Sequence, residues 1–361
     1  MKLRVGTQKL HLRHTFTISR GSEDVAETVI AEIEEDGLIG YGEAPPTAYY
    51  GHTPSSVIAS IEKMKPLLAG ADPLQYRDLL GRLGRELGGP AGDRAALCAL
   101  DLAVHDWVGK RWGLPLHRLL GLAPERMPLS DFTIGIDSIP RMVEKTREAA
   151  GFPILKIKLG TPDDLAVVRA LREITGATFR VDANCAWTAR ETVEKSRELK
   201  ELGVEFIEQP LPPDRLGEMA EVRRASALPL YADENAVVPA DVPRLAGSFD
   251  GIVIKLVKCG GILPALSMIE LARALGLKVM LGCMIESSVA ISGAAQIGPL
   301  ADHLDLDGAI LITDDPFEGV HNRKGNMVLP ERAGLGVQPR RSQRPERSEV
   351  RNRAERPDTD P

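Results

Sequence analysis

Cysteine is scarce in this chain of 361 residues, and the four present, Cys98, Cys185, Cys259 and Cys283, form no CxxC or CxxH pair. That spacing argues against a zinc finger or a thiol redox motif, and the four read as small apolar side chains of a reducing compartment. An excess of positive charge is also missing. The net charge of −6 excludes general affinity for nucleic acid or for anionic membranes. No apolar run is long enough to span a bilayer, and the polar start MKLRVGTQKLHLRHTF lacks a signal-peptide core. The expected location is therefore the cytoplasm. What remains, 43% hydrophobic and 27% charged residues, describes an ordinary globular chain with room for one large domain and a smaller one.

The informative stretch is Lys156-Ile157-Lys158, set in an apolar segment bounded by Gly151 and Gly160. Such a run reads as a buried β-strand, and strand alternation puts both lysines on one face. Two buried ammonium groups are costly unless anions face them. The chain then supplies three acidic strand ends, at Asp182, Glu208 and Asp233, followed by a second lysine-bearing strand, 252–258, with Lys255 and Lys258 on opposite faces.

Residues 1 to about 120 read as an α+β unit. Strands are expected at 3–5, 26–33 and 39–44, with a polar loop over 15–22 hinged at Gly21, then helices over 55–68, 74–87 and 91–112. From 121 to 327 the pattern becomes strand, helix, strand, helix. Apolar segments end near Ile136, Leu159, Asn184, Glu208, Asp233, Val257, Met284 and Asp307. The three carboxylates recur at the length of one βα unit, which predicts an α/β fold, a modified TIM (β/α) barrel whose strand ends converge on one mouth. Residues 328–337 read as a return segment docking on the first unit. The tail, 338–361, is rich in Arg, Pro, Glu and Ser and is expected to be disordered.

These motifs, in this order, resemble the enolase superfamily and its muconate-lactonizing-enzyme-like subgroup. The carrying residues are Lys156-Ile157-Lys158, Asp182-Ala183-Asn184, Glu208-Gln209-Pro210, Asp233-Glu234-Asn235 and Lys255 through Gly261, with Gly42-Glu43-Ala44-Pro45-Pro46 in the first unit. Closer still, the chain is similar to dipeptide epimerases of the L-Ala-D/L-Glu kind. Asp305-Leu306-Asp307 matches the Asp-x-Asp that in that family holds the dipeptide's N-terminal ammonium. Arg20 matches the arginine that meets the side-chain carboxylate of the second residue. Gly282-Cys283-Met284 stands where that family usually reads Gly-Ser-Met.

The resemblance implies an Mg²⁺ ion held by Asp182, Glu208 and Asp233, three hard oxygen ligands suited to that cation. Removing a proton beside a carboxylate builds a second negative charge, which a divalent cation stabilises; the superfamily's use of this chemistry is one of the standard worked cases. Lys158 and Lys255 are the implied base and acid on opposite faces of the planar intermediate, with Lys156 a cation beside its oxygen. A dipeptide is the implied small-molecule partner, nucleic acid and membrane are not, and the resemblance leaves room for a homo-oligomer. The competing readings are o-succinylbenzoate synthase, muconate cycloisomerase or N-acylamino-acid racemase on the same scaffold, and a non-catalytic binder. Asp305 and Asp307 weigh against the former group, whose substrates bring no free ammonium, and the intact lysines weigh against the last. Taken singly, each residue has a plainer reading. A lone acid at a strand end is usually a helix cap, Arg20 alone is a surface charge, and Lys258, Glu286 and His303 are structural.

Overall fold

A computed structural model describes residues 1–340. Three antiparallel strands open the chain in the order β1 (Lys2–Ile18), β2 (Gly21–Glu35) and β3 (Leu38–Ala44). The loop expected over 15–22 is instead the paired end of a hairpin, with Thr17 opposite Ser22 and Ile18 opposite Gly21. Hydroxyl and carboxylate pairs extend the ladder there: Thr15 Oγ1 donates to Asp24 Oδ1 at 2.6 Å, and the Thr17 and Ser22 hydroxyls meet at 2.9 Å. Only Ser19 and Arg20 are left to turn the chain.

Against this sheet packs the helix Arg94–Trp112, buried along most of its length. It starts three residues later than the pattern suggested because Asp93 caps it, accepting from Ala96 N at 2.9 Å. Gly42 of β3 makes the approach close. A Cβ there would lie 1.8 Å from the Ala99 carbonyl oxygen, so no larger residue fits.

Eight parallel strands follow: β4 (Phe132–Ile134), β5 (Ile154–Lys158), β6 (Thr178–Asp182), β7 (Val204–Glu208), β8 (Leu230–Ala232), β9 (Gly251–Lys255), β10 (Lys278–Gly282) and β11 (His303–Asp305). Each pairs with its sequence neighbour, and a bridge from Ser130 to Leu304 brings the two edges together. The strand expected over 252–258 ends at Lys255, and Leu256–Cys259 is a helical turn. Lys258 therefore does not sit on the far face of a strand.

Alternation sorts the barrel interior into two layers. The lower layer holds Arg180, Phe206, Tyr231, Val253, Met280 and His303, with the Phe206 and Tyr231 rings stacked at 4.2 Å between centroids. Two residues further along the same strands come Asp182, Glu208, Asp233, Lys255, Gly282 and Asp305, beside Lys158 of β5. Aromatic and aliphatic side chains packed around Arg180 and His303 thus floor an ionic mouth. His303 belongs to the floor, and Glu286 is buried with its carboxylate on Met284 N at 2.9 Å.

Carboxylates of the first unit cap helices of the barrel. Glu43 accepts from Ser287 N at 2.9 Å and Ala290 N at 3.0 Å, at the start of Ser288–Gln296. Asp101 accepts from Ile262 N at 2.7 Å, at the start of Ile262–Ala274. The segment after the barrel returns to the first unit, where Leu116 N donates to Gly334 O at 2.9 Å and Leu335 N to Asp106 Oδ1 at 2.8 Å. The tail expected from 338 begins with order, since Gln338–Pro339 pairs with Phe317–Glu318 and so has a ladder to join. Residues 341–361, the rest of that expected disorder, lie outside the described residues. No helix among the described residues is long and apolar enough to cross a membrane.

Candidate active site

Parallel register sets the mouth. Lys158 lies opposite Asp182, Asp182 opposite Glu208, and Gly282 opposite both Lys255 and Asp305. Asp233 follows β8 by one residue and Asp307 follows β11 by two. Above them is a cavity of about 560 Å³, lined by Lys158, Asn184, Asp233, Lys255, Asp305 and Asp307 at its floor and by the hairpin end of β1 and β2 on its outer side.

The ionic contacts are short and dry. Lys156 Nζ is 2.7 Å from Glu208 Oε2, 2.7 Å from Asp305 Oδ2 and 3.5 Å from Asp182 Oδ2. Lys158 Nζ is 2.6 Å from Asp182 Oδ2, and Lys255 Nζ is 2.8 Å from Asp233 Oδ2. Lys258, fully buried, reaches back from its helical turn to the Asp233 carboxylate, its carbonyl oxygen at 2.6 Å and Val253 O at 3.0 Å. Burial alone would favour neutral groups. Against it, Lys158 and Lys156 hold Asp182 below its ordinary range, and Lys255 and Lys258 do the same for Asp233. Against burial as well, Asp305 and Glu208 hold Lys156 well above the usual lysine range, and Asp233 raises Lys255. Glu208 goes the other way. Burial, then repulsion from Asp182, pushes it up to about 8.

Glu208 also answers whether this set fits a metal. It is fully buried, and although Lys156 is near, neither of its oxygens has a donor in hydrogen-bonding alignment. Repulsion from both Asp182 and Asp233 reaches it. Three mutually repelling carboxylates, one of them without an aligned hydrogen-bond donor, form a hard oxygen donor set that a divalent cation satisfies. As the chain stands, Asp182 and Asp233 are engaged by lysines, and among the described residues no three acidic, imidazole or thiol groups are gathered around one point.

Backbone strain holds the rim. Asn184, Cys185 and Gln209 take left-handed φ values of 44°, 66° and 33° without being glycine. The turn places Asn184 N 2.8 Å from Asp182 Oδ1, and Cys185 N donates to Gln209 O at 2.9 Å.

All nine side chains singled out in the sequence reach this region, but Arg20 is not free within it. Its Nη1 is 2.7 Å from Glu234 Oε1 and 3.2 Å from Asn184 O, and its guanidinium lies 4.5 Å from the centre of the Tyr49 ring. Glu234 is thus a partner for Arg20 in this arrangement. Asp307 Oδ2 accepts from Thr133 N at 2.6 Å, and Cys283 Sγ is 3.9 Å from its other oxygen. Sequence reasoning passed over Glu23, Tyr49 and Tyr50, which also line the cavity. A Tyr-Tyr pair in a loop, in a chain with only 4% aromatics, was the available signal for the latter two.

Residues 139–343 match the family model for the enolase C-terminal domain-like fold, and residues 2–121 match that for the mandelate racemase / muconate lactonizing enzyme N-terminal domain. The L-Ala-D/L-amino acid epimerase of Maribacter sp. is 46% identical over 93% of this chain and 99% of its own length. The L-Ala-D/L-Glu epimerase of Bacteroides thetaiotaomicron is 42% identical, covering 93% and 88% respectively. Among solved structures, the substrate-liganded L-Ala-D/L-Glu epimerase of Bacillus subtilis superposes with a TM-score of 0.88 at 30% identity, over 93% of this chain and 98% of that one. The dipeptide epimerase of Enterococcus faecalis, complexed with Mg and L-Leu-L-Tyr, gives 0.88 at 33% identity with the same coverage. With a barrel mouth of paired lysines and carboxylates and relatives of this kind along nearly its whole length, the chain belongs to the enolase superfamily, in its mandelate racemase and muconate lactonizing group, and stands among the dipeptide epimerases there.

Proposed function

We propose that the protein inverts the α-carbon of the C-terminal residue of a dipeptide, L-Ala-D/L-Glu among its substrates, with one lysine taking the α-proton and a second lysine delivering its own proton to the opposite face. The observation that carries this reading is the placing of Lys158 on β5 and Lys255 on β9, four strands apart in a barrel of eight and so across the mouth from one another. A planar intermediate between them is open to proton transfer on both faces.

In this reading the α-proton leaves to one lysine and its electron pair moves into the substrate carboxylate, giving an enediolate. The opposite lysine returns a proton to the other face. Lys255, held cationic by Asp233, is in the state of a donor. Lys156, cationic and buried, stands beside the developing charge and stabilises it. Asp305 and Asp307 receive the substrate ammonium, and Arg20 faces the second side chain. Asp182, Glu208 and Asp233 would hold Mg²⁺, which supplies charge stabilisation to the substrate carboxylate when bound.

The test is deuterium uptake in D₂O by single-lysine variants, with L-Ala-L-Glu and L-Ala-D-Glu supplied separately. The wild type should epimerise both with deuterium gain at the inverted carbon. Lys158→Ala and Lys255→Ala should each lose inversion by a factor of at least about 10³, while each keeps exchange with only one of the two configurations. Inversion surviving in either variant would remove the two-base assignment. Uptake in no dipeptide at all would remove the epimerase reading.

A further inference from the structure

We propose that Asp131 is a positioning residue whose carboxylic acid donates a hydrogen bond to Asp305 and so fixes that carboxylate as a receptor of the substrate ammonium. This inference rests on the dipeptide reading above, in which Asp305 meets that ammonium, and adds the group that orients it.

The placement comes from barrel closure. The bridge from Ser130 to Leu304 joins the two edges of the barrel sheet, and Asp131 and Asp305 each follow it by one residue. Asp131 N donates to Leu304 O at 3.2 Å. Parallel register thus stands the two acids side by side on one face, and both are buried. Asp305 lines the cavity, whereas Asp131 is not part of that lining. Asp131 therefore reaches a bound substrate only through its neighbour.

Its two oxygens have different company. Arg180 Nη1, from the layer below, donates to Asp131 Oδ2 at 3.0 Å, while Oδ1 is buried and meets no donor among the described residues. The nearby cations are already shared. Arg180 Nε is 2.9 Å from Glu205 Oε2, and Lys156 Nζ is 2.7 Å from Glu208 Oε2 and 2.7 Å from Asp305 Oδ2. Two touching carboxylates in a dry interior do not both stay ionised. Burial and then repulsion from Asp305 push Asp131 well above its ordinary range. Arg180 from β6 and Lys156 from β5 also face Asp131 and oppose that rise without cancelling it. Against burial, Lys156 and then the hydrogen bond from Asp131 hold Asp305 below its ordinary range. The shared proton thus sits on Asp131, and Oδ1, the oxygen without a partner, is the one to carry it. Asp305 keeps its negative charge and loses rotational freedom, which is the condition for meeting an ammonium in one place.

The experiment uses the full chain with Mg²⁺ and two readouts. Infrared difference spectra near neutral pH, wild type minus Asp131→Asn, should show the carbonyl stretch of a protonated carboxyl, a band that ionised carboxylates lack. In steady-state kinetics with L-Ala-L-Glu, Asp131→Leu should raise KM about fivefold to tenfold, the scale of one lost hydrogen bond. Its kcat should stay within about twofold, because the ammonium is held alike in ground and transition states. Asp131→Asn, whose carboxamide N–H donates where the acid's O–H did, should recover most of that loss. A difference spectrum without the protonated carboxyl overturns the proposal. So does a KM for the Asn variant as high as that for the Leu variant, or a loss that falls on kcat in place of KM. If Asp131→Leu does not fold, the spectrum decides, the band supporting the proposal and its absence overturning it. Turnover of no dipeptide by wild type overturns the epimerase reading. The spectrum needs no substrate, and so separates that failure from failure of the Asp131–Asp305 hydrogen bond.

Discussion

Asp305 and Asp307 are two residues apart at the mouth, yet their surroundings make them unequal. Against the cost of burial, Lys156 holds Asp305 below its ordinary range. Burial and then repulsion from Asp305 push Asp307 up to about 6. Asp307 is thus the anion with the most to gain from a substrate ammonium. Asp307→Asn should raise KM at least about tenfold for dipeptides with a free amino group, and much less for their N-acetyl analogues. In wild type the same KM should climb as pH falls below about 6, where Asp307 takes a proton, and the Asn variant should lose that slope. Equal KM increases for free and N-acetylated substrates would remove the ammonium role. At this scale the sequence was most readable where alternation and strand spacing do the placing: Lys156, Lys158, Asp182, Glu208 and Lys255 lie on strands whose ends must meet. Glu23, Tyr49 and Tyr50 were not readable in that way. Their arrival at the cavity depends on how the hairpin and the loop after β3 lie against the barrel, and no periodicity encodes that.

At the scale of elements, the two units are joined by carboxylates that leave one and cap helices of the other. Asp101 satisfies the first amides of Ile262–Ala274, with Oδ1 on Ile262 N at 2.7 Å and Oδ2 on Leu263 N at 3.3 Å, and it lies 3.1 Å from His105 Nδ1. Asp101→Ala would leave buried N–H groups without acceptors. The expected loss is about 1–3 kcal/mol of stability, seen as a lower urea midpoint. KM for L-Ala-L-Glu should change little, because Asp101 is outside the cavity lining. An unchanged midpoint would mean that water or a neighbouring group replaces the cap. Such caps are invisible locally, because the acid and the helix it serves are 161 residues apart. The hairpin is a related case. Thr15 to Ser22 reads as loop because hydroxyls and Gly21 dominate it, yet Thr15-Phe16-Thr17-Ile18 carries strand alternation, and the cross-strand contacts of Thr15 with Asp24 and Thr17 with Ser22 keep it in the sheet. Lys258 shows the opposite error. The apolar run 252–257 reads as a continuous strand, and the turn after Lys255 becomes visible only once Lys258 is seen folded back on Asp233.

For the whole molecule, pH acts on the two barrel layers in opposite directions. Glu208 and Glu286, each pushed up to about 8 with burial as the leading cause, bind protons more readily folded than unfolded. Their contribution to stability is present at low pH and is lost as pH rises from about 4.5 through about 8. His303 in the floor has the other sign. Burial first, and then the Arg180 guanidinium 3.0 Å from its Nδ1, lower it to about 4, from the ordinary imidazole value of about 6.5. Glu205, Asp302 and Lys278 are the other charged groups that reach it, and the Phe206 and Tyr231 rings pack against it. The folded chain keeps this imidazole neutral, while the unfolded chain takes up a proton below about 6.5. Stability from His303 is therefore complete above about pH 6.5 and is lost as pH falls through about 4. Over the full window the linked free energy is on the order of 3 kcal/mol. The difference between wild type and His303→Gln isolates it, since the carboxylates titrate in both. Urea midpoints measured from pH 7 to pH 4 should fall more steeply for wild type, so that the two curves converge toward acid. Parallel curves would mean that the imidazole is protonated in the fold and that Arg180 does not govern it. Convergence would identify the layer around His303, held neutral by burial and by Arg180, as a part of the barrel that acid destabilises.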